Sequence, residues 1–181
     1  MAIAVFFAEG FEEIEALTVV DLTRRAGIET KMISVTGERR VTGSHGIEVT
    51  MDGVLEETDF QQLEMLVLPG GMPGTLNLKA CEPLMEQIRA FEEQGKYIAA
   101  ICAAPTVFGA LGLLKERKAC CYPGMEEQLQ AAKVAEDACV VSDKVITSRG
   151  MGTAMDFGLK IVEILKSNKE ARDLSRAVVY K

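Results

Sequence analysis

Short uncharged runs alternate with amphipathic stretches along nearly the whole chain. Residues 3–7 are apolar without a break and stop at Glu9-Gly10, a pattern that predicts a parallel strand buried on both faces. A helix follows from Glu12 or Glu13, with Ile14-Leu17 and Val19-Leu22 on its apolar rows, and continues to Arg25; Gly27 is its C-terminal cap. Early acids and late arginines match the helix dipole. Residues 29–35 form the second strand and complete a βαβ unit. The pattern then changes. Gly37-Glu38-Arg39-Arg40 is a polar turn, and Ile47, Val49 and Met51 alternate with polar positions, as in a hairpin with one wet face.

Residues 65–68 form a short buried strand that runs into Pro69-Gly70-Gly71-Met72-Pro73-Gly74, a tight loop by its composition. Leu84, Ile88 and Phe91 give the next helix its core face, and Gly95 ends it. Residues 97–114 carry no charge and are long enough to suggest a membrane span, but Pro105, Gly109 and Gly112 interrupt them. Splitting the stretch at Cys102 explains more. Residues 97–101 become a buried strand, and Pro105 falls in the first turn of a helix, where its missing N–H is not needed. Cys120-Cys121-Tyr122-Pro123-Gly124 marks another strand end. Residues 139–141 and 145–147 bracket a Ser142-Asp143-Lys144 turn. Thr153 caps a last long helix with Phe157, Ile161, Ile164 and Leu165 on its core face, and residues 171–179 are a tail or helix. This alternation predicts an α/β fold: a mostly parallel sheet with helices on both faces and a small β-hairpin, in one domain over residues 1–181.

Composition narrows the functional classes. A net charge of −7 gives no footprint for a nucleic-acid backbone, so no nucleic-acid partner is expected. No membrane span is expected either, and the N-terminus reads as a first strand rather than a signal peptide. The five cysteines, Cys81, Cys102, Cys120, Cys121 and Cys139, are odd in number and lack Cys-x-x-Cys spacing. Neither a disulfide framework nor a metal site is indicated, and a reducing cytoplasm suits them.

In open parallel sheets, ligands bind outside the carboxyl ends of the strands. Glu15, Gly70-Gly71, Cys102 and Ser148-Arg149-Gly150 are all expected there. A thiol at a sharp turn before a helix sits near N–H groups without intrahelical acceptors, which favours thiolate; most free cysteines are instead small buried hydrophobes. Glu15 shares a helix row with Val19 and Leu22, whereas Glu12 and Glu13 offer ordinary surface charge. It is either a dry, protonated carboxyl able to donate to a thiolate, or a first-turn acid favoured by the dipole. Gly70 and Gly71 let backbone N–H groups face an oxyanion, or simply satisfy a tight turn. His45, the sole histidine, lies in the hairpin, where most histidines are merely exposed. Tyr122 lies at a strand end, where a tyrosine usually packs its ring. Arg25, with Arg24, reads as a solvated helix-end position and is carried as an accessory residue alongside them.

Four segments resemble the DJ-one branch of the ThiJ/PfpI superfamily: Ala99-Ala100-Ile101-Cys102-Ala103-Ala104-Pro105, Val67-Leu68-Pro69-Gly70-Gly71, Gly10-Phe11-Glu12-Glu13-Ile14-Glu15 and Thr147-Ser148-Arg149-Gly150-Met151-Gly152-Thr153. The match is collinear from first strand to last helix. The resemblance implies a flavodoxin-like three-layer sandwich, a homodimer, and a nucleophile-elbow cysteine at Cys102 in strained geometry. It also implies a protonated Glu15 bonded to the sulfur, N–H groups around Gly71 and Ala103 as an oxyanion site, and no cofactor. Relatives of this kind are glyoxalases that convert methylglyoxal to lactate without a cofactor, deglycases acting on early glycation adducts, and oxidative-stress sensors or chaperones. The chain departs from the branch at Tyr122, where a histidine is common. It departs from the protease-like branch at Ala103, which there is histidine, so peptidase chemistry is not expected. His45 matches a hairpin position that presents a basic side chain to the partner subunit's site. Three functions follow: an enzyme acting on small reactive aldehydes or glycated adducts through Cys102 and Glu15, a redox sensor or chaperone-like binding protein using oxidation of Cys102, and a vestigial fold with an interaction role.

Overall fold

In the computed structural model, which describes residues 1–130 and 132–180, the main uncharged runs become neighbours in one sheet. In chain order the strands are β1 (Ala2–Phe7), β2 (Glu29–Ser34), the hairpin β3 (Arg40–Thr42) and β4 (Glu48–Thr50), then β5 (Gly53–Val54), β6 (Leu63–Leu68) and β7 (Tyr97–Ile101). They continue through a separate short ladder, β8 (Lys118–Ala119) with β9 (Lys133–Val134), to β10 (Cys139–Ser142) and β11 (Val145–Ser148). The main sheet has seven strands in the order β10-β11-β7-β6-β1-β2-β5. Every pairing in it is parallel except β10 with β11. The helices are α1 (Glu13–Arg25), α2 (Gly74–Ala80), α3 (Glu82–Glu93), α4 (Pro105–Ala110), α5 (Ala154–Leu165) and α6 (Asn168–Ala177).

Strand β1 shows why the sheet needs helices on both sides. Successive side chains of a strand point to opposite faces. Ala4 and Phe6 join Leu66, Ile98, Phe91 and Phe108 in one core, while Ile3, Val5 and Phe7 join Val19, Phe157 and Ile161 in the other. Helices α3 and α4 therefore cover the first face, and α1 and α5 the second. The largest of these side chains are completely buried, each contributing about 1.5–3 kcal/mol of hydrophobic stabilisation. The result is the expected flavodoxin-like α/β sandwich.

Parallel register brings the carboxyl ends of the central strands together. Val5 lies beside Val67, Val67 beside Ala99, and Ile101 beside Ser148. The loops after β1, β6, β7 and β11 thus open at one end of the sheet, as expected.

Three expectations need correction. The glycine-proline loop after β6 is there as expected, but it leads directly into a short helix that the pattern does not predict, α2, which begins at Gly74. Glu12 and Glu13 are not surface charges. Both are buried, since the β3–β4 hairpin folds over them. Thr153 stands at the start of α5, but its hydroxyl bonds to the Gly150 N–H and carbonyl and to Ser148 instead of capping the helix.

Candidate active site

The turn after β7 is made by Cys102 itself, whose φ of 65° places a residue with a Cβ in the left-handed region. Such a conformation costs a non-glycine residue about 1–2 kcal/mol. Two neighbours hold it in place. The Cys102 N–H donates to the Ser148 carbonyl at 2.9 Å, and its own carbonyl accepts the Tyr122 N–H at 2.7 Å. The chain then enters α4 with Pro105 at its first turn, so the side chain is held over the sheet end while only 8% of the residue is exposed.

Glu15 reaches the same point from α1. Glu12 caps that helix, its carboxylate accepting the Glu15 N–H at 2.8 Å, which fixes the first turn. The Glu15 side chain is fully buried, and its Oε2 accepts the Gly70 N–H at 2.9 Å. Oε1 is buried without a hydrogen-bond partner of standard geometry, while the carboxyl as a whole is in contact with the Cys102 thiol. The N–H groups of Gly71 and Ala103 also bond to the sulfur. Two glycines make this possible. A Cβ at Gly70 would come within 2.6 Å of the Cys102 Cβ and 2.7 Å of Glu15 Oε2, so any larger residue there would push the pair apart. Gly71 has φ 92°, and a Cβ there would collide with the backbone of Glu12.

The electrostatics correct one expectation and extend another. Burial pushes the Glu15 carboxyl up to about 7, against the lowering effect of its bonds to Cys102 and Gly70. The Cys102 thiol does not become acidic through its turn alone. Burial first, then the charge and hydrogen bond of Glu15, push it up to about 12, and the N–H groups of Gly71 and Ala103 only partly offset this. Cys102 and Glu15 therefore form a coupled pair whose first proton leaves near pH 7 and whose second is strongly retained. Cys121 and Cys139 are also raised by burial, to about 11 and about 12. Cys102 differs from them in facing a buried carboxyl and two backbone donors.

The accessory positions separate. Tyr122 stands at the rim of the site, tied through its N–H to the Cys102 carbonyl. Arg25 does not join it. It lies ten residues beyond Glu15, roughly 15 Å along the helix, and pairs with Asp21 at 2.6 Å. His45 docks on Glu13: its N–H donates to Oε1 at 2.8 Å and its Nδ1 lies 2.9 Å from Oε2. Burial works to raise Glu13, but the bonds from His45 outweigh it and hold the carboxyl below its usual range, while the same pairing raises His45. Glu12, Glu13 and His45 form the one group among the described residues whose donor atoms, all within 4.8 Å of one another, suit a metal ion. Those donors are already engaged inside the protein, Glu12 with the Glu15 N–H and Glu13 with His45. Sequence reasoning missed Glu13 as the hairpin's anchor. The only signal was its place in the first turn of the helix, opposite nothing nearby in sequence.

A mostly parallel sheet covered on both faces, with a left-handed cysteine at a strand-to-helix turn facing a buried carboxyl, defines a flavodoxin-like α/β sandwich with its cysteine at an elbow. The chain belongs to the DJ-1/PfpI family, which it matches over residues 1–164. It is similar to the Arabidopsis thaliana protein "Protein DJ-1 homolog B", 38% identical over 176 residues; the match covers 96% of this chain but 40% of that protein, so the chain spans less than half of that relative's length. It is 34% identical over 167 residues to the Caenorhabditis elegans protein "Glutathione-independent glyoxalase DJR-1.2", covering 92% of this chain and 89% of that one. The structure of oxidized Toxoplasma gondii DJ-1 superposes with a TM-score of 0.95 at 34% identity, over 99% of this chain and 98% of the other. Among the described residues, no helix is long and apolar enough to cross a membrane.

Proposed function

We propose that the chain is a cytoplasmic cysteine enzyme that converts 2-oxoaldehydes such as methylglyoxal to 2-hydroxy acids without glutathione. The observation that carries this reading is the Cys102 sulfur held between the Glu15 carboxyl and the N–H groups of Gly71 and Ala103. The name of the Caenorhabditis elegans relative supports it. Glu15 is the general base, with a pKa suited to neutral pH. It takes the thiol proton as the sulfur bonds to the aldehyde carbon, and the carbonyl electron pair moves to oxygen. The two N–H groups transfer from the sulfur to this new oxyanion, which the proton from Glu15 then neutralises. Glu15 next removes the proton on the former aldehyde carbon and returns it to the neighbouring carbon, while the hydroxyl proton passes from the first oxygen to the second, leaving a thioester of the hydroxy acid. Water cleaves the thioester and restores the thiol. The sum is one oxoaldehyde and one water giving one hydroxy acid, with no external oxidant or reductant. The same addition serves early glycation adducts as a deglycase-type reaction. Purified protein should form lactate from methylglyoxal with no glutathione present. Full turnover by Cys102→Ser would overturn the mechanism.

A second reading, an oxidative-stress response, draws on the Glu15 carboxyl beside the Cys102 thiol, which is suited to bonding a sulfinate oxygen on that residue, and on the oxidized state of the Toxoplasma gondii relative. Mild peroxide should add two oxygens at Cys102. Equal oxidation of Cys81, Cys120, Cys121 and Cys139 would count against it. A homodimer belongs to the same proposal, supported by Ile14, which is 53% exposed in the turn of α1 that carries Glu15. Sedimentation at micromolar concentration tests it.

A further inference from the structure

Thr153 stands at the start of α5 without capping it, so its hydroxyl is used elsewhere. That hydroxyl accepts the Gly150 N–H at 3.1 Å and lies 2.9 Å from the Gly150 carbonyl and 2.7 Å from Ser148 Oγ. Ser148, completely buried, has its own Oγ 2.6 Å from the carbonyl of Ala138, the residue before β10. A carbonyl has no proton to give, so the Ser148 hydroxyl donates there. The Thr153 proton is then the only one left for the contact between the two hydroxyls. Its competitor, the Gly150 carbonyl, already accepts the Thr153 N–H at 2.8 Å. The result is a head-to-tail relay from the Gly150 N–H through Thr153 and Ser148 to Ala138, in which each bond polarises the next.

This relay meets the elbow at Ser148. That residue is the last of β11, where it pairs with Cys139 of β10 and Ile101 of β7. The ladder stops there, yet the Ser148 carbonyl also accepts the Cys102 N–H at 2.9 Å. Backbone bonds at the end of a ladder open readily unless something else holds them. We infer that Thr153 is a positioning residue for the reactive thiol: its hydroxyl, acting through Ser148, fixes the carbonyl that anchors the left-handed Cys102 backbone. The kinetic consequence rests on the glyoxalase reading; the anchoring itself does not. Without the Thr153 hydroxyl, Ser148 Oγ and the Gly150 N–H each lose a partner. The end of β11 then loosens, and Cys102 can relax from φ 65°, carrying its sulfur away from Glu15 and from the N–H groups of Gly71 and Ala103.

The test compares Thr153→Val, which keeps the shape of the side chain without its hydroxyl, with Thr153→Ser, which keeps the hydroxyl. Ser148→Ala cuts the same relay at its other hydroxyl and should reproduce the effect of Thr153→Val. Amide hydrogen exchange followed by NMR reads the anchor directly. In Thr153→Val the Cys102 N–H should exchange about tenfold faster or more, while the N–H of Val5 in β1, which reports the stability of the whole sheet, changes far less. Thr153→Ser should bring the Cys102 rate back to within about threefold of the wild-type value. Equal acceleration at Cys102 and Val5, or none at Cys102, overturns the inference. With methylglyoxal as substrate, Thr153→Val should lower kcat by about tenfold to a hundredfold with little change in KM, because misplaced reacting groups slow the chemistry more than the binding. Thr153→Ser should restore kcat. A raised KM with kcat unchanged in Thr153→Val also overturns the inference while leaving the glyoxalase reading intact. If the wild-type protein forms no hydroxy acid, the glyoxalase reading fails and hydrogen exchange alone decides the inference.

Discussion

Glu13 and Glu15 stand two residues apart in one helical turn, and both are buried, yet they are driven in opposite directions. Glu13 points to the hairpin, where His45 bonds it twice and holds it ionised. Glu15 points to the sheet end, where its neighbours are a thiol, the Gly70 N–H and the like charge of Glu12, and burial lifts it to about 7. Burial works to raise both carboxyls, and it is deeper at Glu15. That depth, together with the bonding offered from distant parts of the chain, makes one an anchor and the other a group able to exchange protons near neutral pH.

The largest expected effect comes from removing the exchangeable proton. Glu15→Gln should lower oxoaldehyde turnover by about 10²–10⁴-fold, whereas Glu13→Gln should leave the pH at which activity rises close to 7. Gly70→Ala should come next: its Cβ would crowd both Cys102 and Glu15, and overpacking of this kind costs about 1–3 kcal/mol. Urea unfolding and turnover measured together should show activity falling further than stability. Turnover preserved in that variant would mean that the close approach is not needed.

The two carboxyls should also respond oppositely to pH. A carboxyl raised from 4.5 to about 7 binds more protons folded than unfolded, so its contribution is fully favourable below 4.5 and is lost as pH rises to about 7, by about 3 kcal/mol in total. Glu15→Gln should remove that fall between pH 5 and 8 in urea midpoints. Glu13 has the opposite sign: its stabilisation is present above the ordinary carboxyl range and is lost as acid protonates it. Glu13→Gln should cost about 1.5–3 kcal/mol at neutral pH, as expected for losing hydrogen bonds to a charged group. The smallest effect should be that of His45→Ala, because the imidazole is exposed. Its raised pKa means that the pairing acts at low pH and fades as pH rises through that value. A midpoint shift larger than that of Glu13→Gln would show that the hairpin is held mainly by the histidine.

The sheet was legible because buried parallel strands write themselves as uncharged runs, and residues 97–101 matched β7 without adjustment. The elbow was legible for a related reason, since Pro105 marks the helix start and leaves only three residues for the turn. Helix α2 was hidden because Gly74 and the prolines before it resemble an uninterrupted loop. Glu12 and Glu13 were misread because the residues that cover them, 40–50, lie some thirty positions away and carry no local sign of docking. The thiol's ionisation was misjudged for the opposite reason. Its backbone donors were foreseeable from the turn, but the depth of burial that outweighs them is a property of the assembled layers.

The backbone bonds that secure Cys102 on both sides also have a consequence for variation at that position. A residue with a Cβ held at φ 65° gives up about 1–2 kcal/mol that glycine would not, and with its N–H and carbonyl both engaged it cannot relax to recover it. Selection for thermal resistance alone would therefore drift towards glycine at position 102 and yield a sturdier, chemically silent protein. A thiol retained there records a requirement imposed by something other than folding.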